Sequence, residues 1–134
     1  MIERLKAVMF SKLMCRFGIG ATKIDLVLNK KEFRPGDVIK GEYELTGGRV
    51  EQKLKRIETD LLQYDDKRSS VLHQNTILSS STMKANEQRT IHFSCRLSDA
   101  FPPSSETVSY KFVTRLVFDD GVNSVDHDEF QILV

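Results

Sequence analysis

The chain has 134 residues, of which 40% are hydrophobic and 29% charged, and its formal net charge at pH 7 is +1. This predicts one soluble domain with its own core and gives no reason to expect binding to nucleic acid. No stretch approaches the roughly 20 apolar residues of a membrane span, and charged residues interrupt positions 1–17, where a secretory signal needs an uncharged segment. Because Cys15 and Cys95 lie far apart and form no CxxC motif, we expect a reduced, cytoplasmic setting; a disulfide between them is the alternative.

The first predicted element is an amphipathic helix over residues 1–17. Apolar residues recur there at helical spacing with basic residues mostly between them, and glycines at positions 18 and 20 end the pattern. The apolar stripe can pack on protein, which is the commoner fate of such helices, or lie on an anionic membrane. We therefore predict an interaction surface on this helix, formed by Leu5, Met9, Leu13 and Phe17.

Beyond residue 18 the hydrophobic period changes from that of a helix to that of a strand. The sequence Arg34-Pro-Gly-Asp37 predicts a type II turn, and the doubled Leu61-Leu62 indicates a β-bulge. About seven strands separated by turns predict an antiparallel β-sandwich over residues 18–134. The predicted strands are 23–28, 39–45, 53–64, 76–81 (the weakest), 91–97, 110–118 and 130–134.

The phase of these strands predicts which side chains form the core. Gly41 falls on the same inward face, where a residue without a side chain lets the strand bend or lets another side chain cross it; a simple bulge is the alternative. The predicted core residues are Ile24, Leu26, Ile39, Tyr43, Ile57, Leu61, Ile91, Phe93, Leu116 and Phe118.

Four segments together resemble the bacterial sporulation-control proteins. They are Gly18-Ile-Gly-Ala-Thr-Lys23, Arg34-Pro-Gly-Asp37, Lys40-Gly-Glu-Tyr-Glu-Leu-Thr-Gly-Gly48 and Glu51-Gln-Lys-Leu-Lys-Arg-Ile57. The resemblance implies an arrestin-like, immunoglobulin-like sandwich that regulates through protein contacts, with no catalytic residue to carry over. Proteins of this family have two sandwich domains, and this chain ends where the first is expected to end.

The candidate chemical motifs are weak. Gly18 to Lys23 has the residue types of a phosphate-binding loop, but it follows a helix and precedes a strand, which is the reverse of the required order. Asp119-Asp120 and Asp126-x-Asp128, with His127, could surround a hard cation, but their spacing is not that of a calcium loop, and Asp-Asp-Gly121 predicts a turn. The sequence therefore predicts no catalytic residue, no metal ligand and no cofactor.

These observations predict a non-enzymatic regulatory or scaffold module that acts through protein–protein contacts. A second copy of the chain is among its predicted partners, because sandwich edge strands and an amphipathic stripe both favour self-association. The alternative is a peripheral membrane adaptor that docks through the basic helix of residues 1–17.

Overall fold

The computed structural model describes residues 20–119 and 121–134. The predicted helix of residues 1–17, with its four interaction residues, lies outside the described residues. The strands, in chain order, are β1 Lys23–Leu28, β2 Glu32–Phe33, β3 Val38–Thr46, β4 Gln52–Asp65, β5 Arg68–Met83, β6 Gln88–Arg96, β7 Val108–Phe118 and β8 Gly121–Ile132.

The strands form two sheets that pack face to face. One sheet has three strands in the order β1-β3-β6, and the other has five in the order β2-β8-β7-β4-β5. Neighbouring strands are antiparallel except for the two-residue contact of β2 with β8, which is parallel. The all-β class predicted from the period-2 pattern is therefore confirmed.

The core lies between the two sheets and is joined by aromatic rings. The predicted core residues are buried, except that Ile91 is half-buried and packs against the margin of the core. Phe93 of β6 makes edge-to-face contacts with Tyr43 of its own sheet and with Phe112 of the other sheet, each with ring centroids 5.3 Å apart. This cluster ties the two sheets together.

Two predicted local features are present as expected. Gly36 has φ of 83° and the Asp37 N–H donates to the Arg34 carbonyl oxygen over 3.1 Å, as in a type II turn. The register of β4 against β5 shifts between Leu61 and Leu62, which confirms the bulge.

Two strands are longer than predicted. β5 runs over 16 residues rather than 76–81, and β8 begins at Gly121 rather than at residue 130. Both stretches were missed because their polar residues hide the alternation of apolar side chains that marks a half-buried strand.

Gly41 allows two neighbouring strands to approach closely. It pairs with Leu28 of β1 and Phe93 of β6, and the register of β3 with both neighbours runs without a shift, so the bulge interpretation is wrong. A Cβ atom at position 41 would lie 2.4 Å from the carbonyl oxygen of Val27. The missing side chain therefore makes room for the backbone of β1.

Gly41→Ala is expected to lower the free energy of unfolding by about 1–3 kcal/mol, because the backbone of β1 has to move away from the new methyl group. Urea unfolding of the variant and of Lys40→Ala, an exposed neighbour, measures the effect. Equal stability of the two variants would contradict the close-approach explanation.

Candidate functional sites at the sheet edges

The free edge of β1 is covered by side chains of β8. The Ile24 N–H donates to Oγ of Ser124 over 3.2 Å, and the Leu26 N–H donates to Oδ2 of Asp126 over 2.8 Å. These N–H groups belong to the end strand of the three-stranded sheet, where they would otherwise be open to another strand. The edge of β1 is thus already partnered at these positions.

A cluster of three carboxylates lies at the same place. One oxygen from each of Asp25, Asp126 and Asp128 lies within 4.8 Å of the other two. Asp126 and Asp128 share a face of β8 because they are two residues apart, whereas His127 is exposed between them. Since Asp25 belongs to β1, the cluster bridges the two sheets.

The cluster is electrostatically unfavourable when all three groups are ionised. Burial raises the pKa of Asp128 to about 8, and its hydrogen bond with Asp126 and the charges of Asp126 and Asp25 add to the effect, while Lys31 opposes it. Burial, followed by the charge of Asp126, also raises the pKa of Asp25. A proton shared between Asp126 and Asp128, or a bound cation, would relieve this repulsion.

A row of buried polar side chains leads from the core to the cluster. Thr59, Thr114 and Asp126 are directly opposite one another on β4, β7 and β8, so their side chains lie on one face of the sheet. Thr59 is hydrogen-bonded to the Tyr43 hydroxyl over 2.5 Å. Three buried side-chain atoms of the described residues have no hydrogen-bond partner: Oγ1 of the fully buried Thr114, Oδ2 of Asp128 and, outside this row, Oγ1 of Thr22.

The sequence placed only part of this cluster. Asp119 is exposed in the turn after β7, where the Asp-Asp-Gly pattern predicted a turn, and Asp120 lies outside the described residues. Asp25, on a strand about a hundred residues earlier, was missed. The only signal in the sequence is that Asp25 falls on the polar face of β1. No feature of the neighbouring residues shows that β1 lies next to β8.

A second candidate site is the free edge of β5, at the end of the five-stranded sheet. Between Arg68 and Lys84 the sequence has no Asp, Glu, Lys, Arg or Pro, although charges, prolines and short length are the usual protection of such edges. Leu78 is 79% exposed and Val71 is 52% exposed. The pairing of β5 with β4 has two register shifts, which interrupt the strand locally. Most of its long, uncharged edge is nevertheless open.

The far end of β5 is covered. The Arg89 side chain of β6 donates to the Thr82 carbonyl oxygen over 2.9 Å and to Oγ of Ser81 over 2.8 Å. The guanidinium is also held by Glu87. The edge that remains available for another strand is therefore residues 68–80.

Cys95, His73 and His92 do not come together in a site. Cys95 is buried in the core, and burial raises the pKa of its thiol, which lowers its reactivity. His73 and His92 are exposed on different strands.

Within residues 20–119 and 121–134, no helix has the length and apolar character needed to cross a membrane.

Two facing sheets with an open edge define a class of all-β sandwich domains, and sequence comparison identifies the family. The sequence profile of the Spo0M family, described as SpoOM protein, matches residues 10–134. The chain therefore belongs to the Spo0M family, which confirms the resemblance to sporulation-control proteins.

Its similarity to one member extends over most of the chain. It is 28% identical over 127 residues to the sporulation-control protein spo0M of Bacillus subtilis (strain 168), a match that covers 89% of this chain and 49% of that protein. The crystal structure of Spo0M from Bacillus subtilis superposes with a TM-score of 0.79 at 26% identity, covering 87% of this chain and 51% of that chain. The chain thus spans about half the length of these relatives.

A more distant structure shares the fold alone. A Niemann-Pick type C2 protein from Japanese carpenter ant superposes with a TM-score of 0.57 at 11% identity, covering 84% of this chain and 92% of that chain.

Proposed function

We propose that this chain is a non-enzymatic regulatory protein of the sporulation-control kind, and that it acts through protein–protein contacts made by the free edge of β5. Its membership of the Spo0M family supports the regulatory role, since the Bacillus subtilis relative is named a sporulation-control protein. The long uncharged edge supports the contact surface. An arrestin-like form of the sandwich and a cytoplasmic location belong to the same proposal.

The partner that this edge fits is the β5 strand of a second copy of the chain. Two copies related by a two-fold axis would pair their β5 strands antiparallel, with main-chain hydrogen bonds supplying affinity. Because residues 69–83 carry no Asp, Glu, Lys or Arg, this pairing places no like charges opposite each other. The exposed Leu78 and Val71 side chains would be partly covered at the same time.

The other free edges fit a second copy less well. The free edge of β6 carries Arg89 and Arg96, so symmetric pairing would bring arginines of two copies together. The edge of β1 is partnered by Ser124 and Asp126. The membrane-adaptor alternative rests wholly on residues 1–17, outside the described part of the chain.

Charges placed on β5 are expected to abolish the dimer. Light scattering at about 200 µM should give the wild-type chain a mass of twice its 15.3 kDa. The Val71→Lys, Leu78→Lys variant should give a monomer mass, because the lysines repel across the two-fold axis. Val27→Lys with Val125→Lys is the matched control, since both valines are exposed on other strands. A monomeric wild type, or a dimer that survives the β5 lysines, would contradict the proposed contact.

The regulatory role has a separate test. Production of the wild-type chain in Bacillus subtilis is expected to change the number of heat-resistant spores, and the β5 double-lysine variant is expected to have a smaller effect. Spore counts equal to those of an empty-vector strain would contradict the regulatory role without bearing on the dimer.

A further inference from the structure

The carboxylate cluster has features that neither the core nor the proposed dimer explains. Its three oxygens come from both sheets and lie within 4.8 Å of one another. Thr114, whose buried hydroxyl has no partner among the described residues, is directly opposite Asp126 on the same face of the sheet. Oδ2 of Asp128 is likewise buried without a donor in this part of the chain. A buried hydroxyl and a buried carboxylate oxygen are both unfavourable without a hydrogen-bond partner unless a further group contacts them.

We infer that Asp25, Asp126 and Asp128 bind a divalent cation of the size of Ca²⁺, each through one carboxylate oxygen. Carboxylate and hydroxyl oxygens are the donors preferred by hard cations. A cation would neutralise the repulsion among the three groups and would attract a water molecule that the Thr114 hydroxyl can contact.

Carboxylates brought together from two sheets suit Ca²⁺ better than Mg²⁺, because Ca²⁺ accepts irregular coordination whereas Mg²⁺ demands near-octahedral geometry and keeps its water ligands. Oxygens bound to Ca²⁺ lie about 2.3–2.6 Å from the ion, so two ligands on opposite sides are up to about 5 Å apart, whereas for Mg²⁺ the limit is about 4.2 Å. The three carboxylate oxygens lie within 4.8 Å of one another, which is inside the span of oxygens around a bound Ca²⁺. Three carboxylates leave several positions to water, which predicts a dissociation constant on the order of 0.1–1 mM.

Such an ion would link the two sheets at one edge of the sandwich. Asp25 lies on β1 of the three-stranded sheet, whereas Asp126 and Asp128 lie on β8 of the five-stranded sheet. Ser124 and Asp126 of β8 already accept hydrogen bonds from the Ile24 and Leu26 N–H groups of β1. The bound state is therefore expected to be more stable than the free state.

The test is a titration of chelator-treated full chain with CaCl₂, followed by calorimetry and by thermal unfolding. At about 5 mM CaCl₂ the melting temperature of the wild type is expected to rise by about 3–6 °C, with a weaker response to MgCl₂. Asp25→Asn and Asp128→Asn should lose the calcium response. Asp65→Asn, which removes an exposed acid at the end of β4, should retain it.

Because Asp25 is exposed, Asp25→Asn is expected to fold. This variant therefore tests the site even if Asp128→Asn fails to fold. The absence of any calcium response in the wild type would overturn the site. A response that persists in Asp25→Asn, or that is equally large with MgCl₂, would overturn the assignment of these residues to a calcium-sized ion.

Discussion

Phe93→Ala is expected to lower the free energy of unfolding by about 3–5 kcal/mol. The Phe93 side chain is buried at the centre of the sandwich and contacts the rings of Tyr43 and Phe112, one on each sheet. Its removal leaves a cavity between two sheets whose backbones are fixed by their own hydrogen bonds, so little collapse can compensate. Urea unfolding measures the change as a lower midpoint at an unchanged slope.

Phe101→Ala is the matched control for this prediction. Phe101 is half-buried at the margin of the core, where it stacks on Tyr110 with ring centroids 6.3 Å apart. The same chemical change should therefore have a smaller effect there, because the remaining space is open to solvent. A loss at Phe93 no larger than the loss at Phe101 would show that Phe93 does not hold the sheets together.

Asp128→Asn is expected to stabilise the protein at alkaline pH. The pKa of Asp128 is raised from 3.8 to about 8 in the folded chain, chiefly by burial and then by Asp126. Between about pH 4 and pH 8, the folded state therefore keeps a proton on Asp128 that the unfolded state has released. Wild-type stability should fall as pH rises from about 4 to about 8 and should fall no further above that.

The asparagine amide can donate to Asp126 as the protonated carboxyl does, but it does not titrate. The stability difference between Asp128→Asn and wild type should grow from near zero at about pH 4 to about 1–3 kcal/mol above pH 8, after allowance for solvent screening. Thermal unfolding in chelator across this pH range measures the difference, with Asp65→Asn as the control. A difference that does not depend on pH would contradict the proposed burial of a shared proton.

The alternation of apolar residues was sufficient to predict the sandwich core. Ile39, Tyr43 and Phe93 were all placed inward because a strand buries every second side chain. The type II turn at Gly36 and the bulge at Leu61 could also be predicted, because each depends only on residues that are adjacent in the chain.

The candidate sites were harder to predict because they depend on which strands lie together. Asp25 and Asp126 meet only because β1, the end strand of one sheet, lies next to β8 of the other sheet. The open edge of β5 was missed since its serines, His73 and Gln74 give little apolar alternation, although the absence of charge there is visible in the sequence.

Hydrogen–deuterium exchange at two protein concentrations tests the central claim, that β5 is the contact edge, most directly. Backbone amides of residues 68–80 are expected to exchange more slowly at about 200 µM than at about 2 µM, because pairing with a second copy protects those that face outward. Amides of β7, which lies inside the sheet, should exchange equally at both concentrations, and the Val71→Lys, Leu78→Lys variant should show no dependence on concentration. Exchange of β5 in the wild type at about 200 µM that is as fast as in this variant would contradict the account.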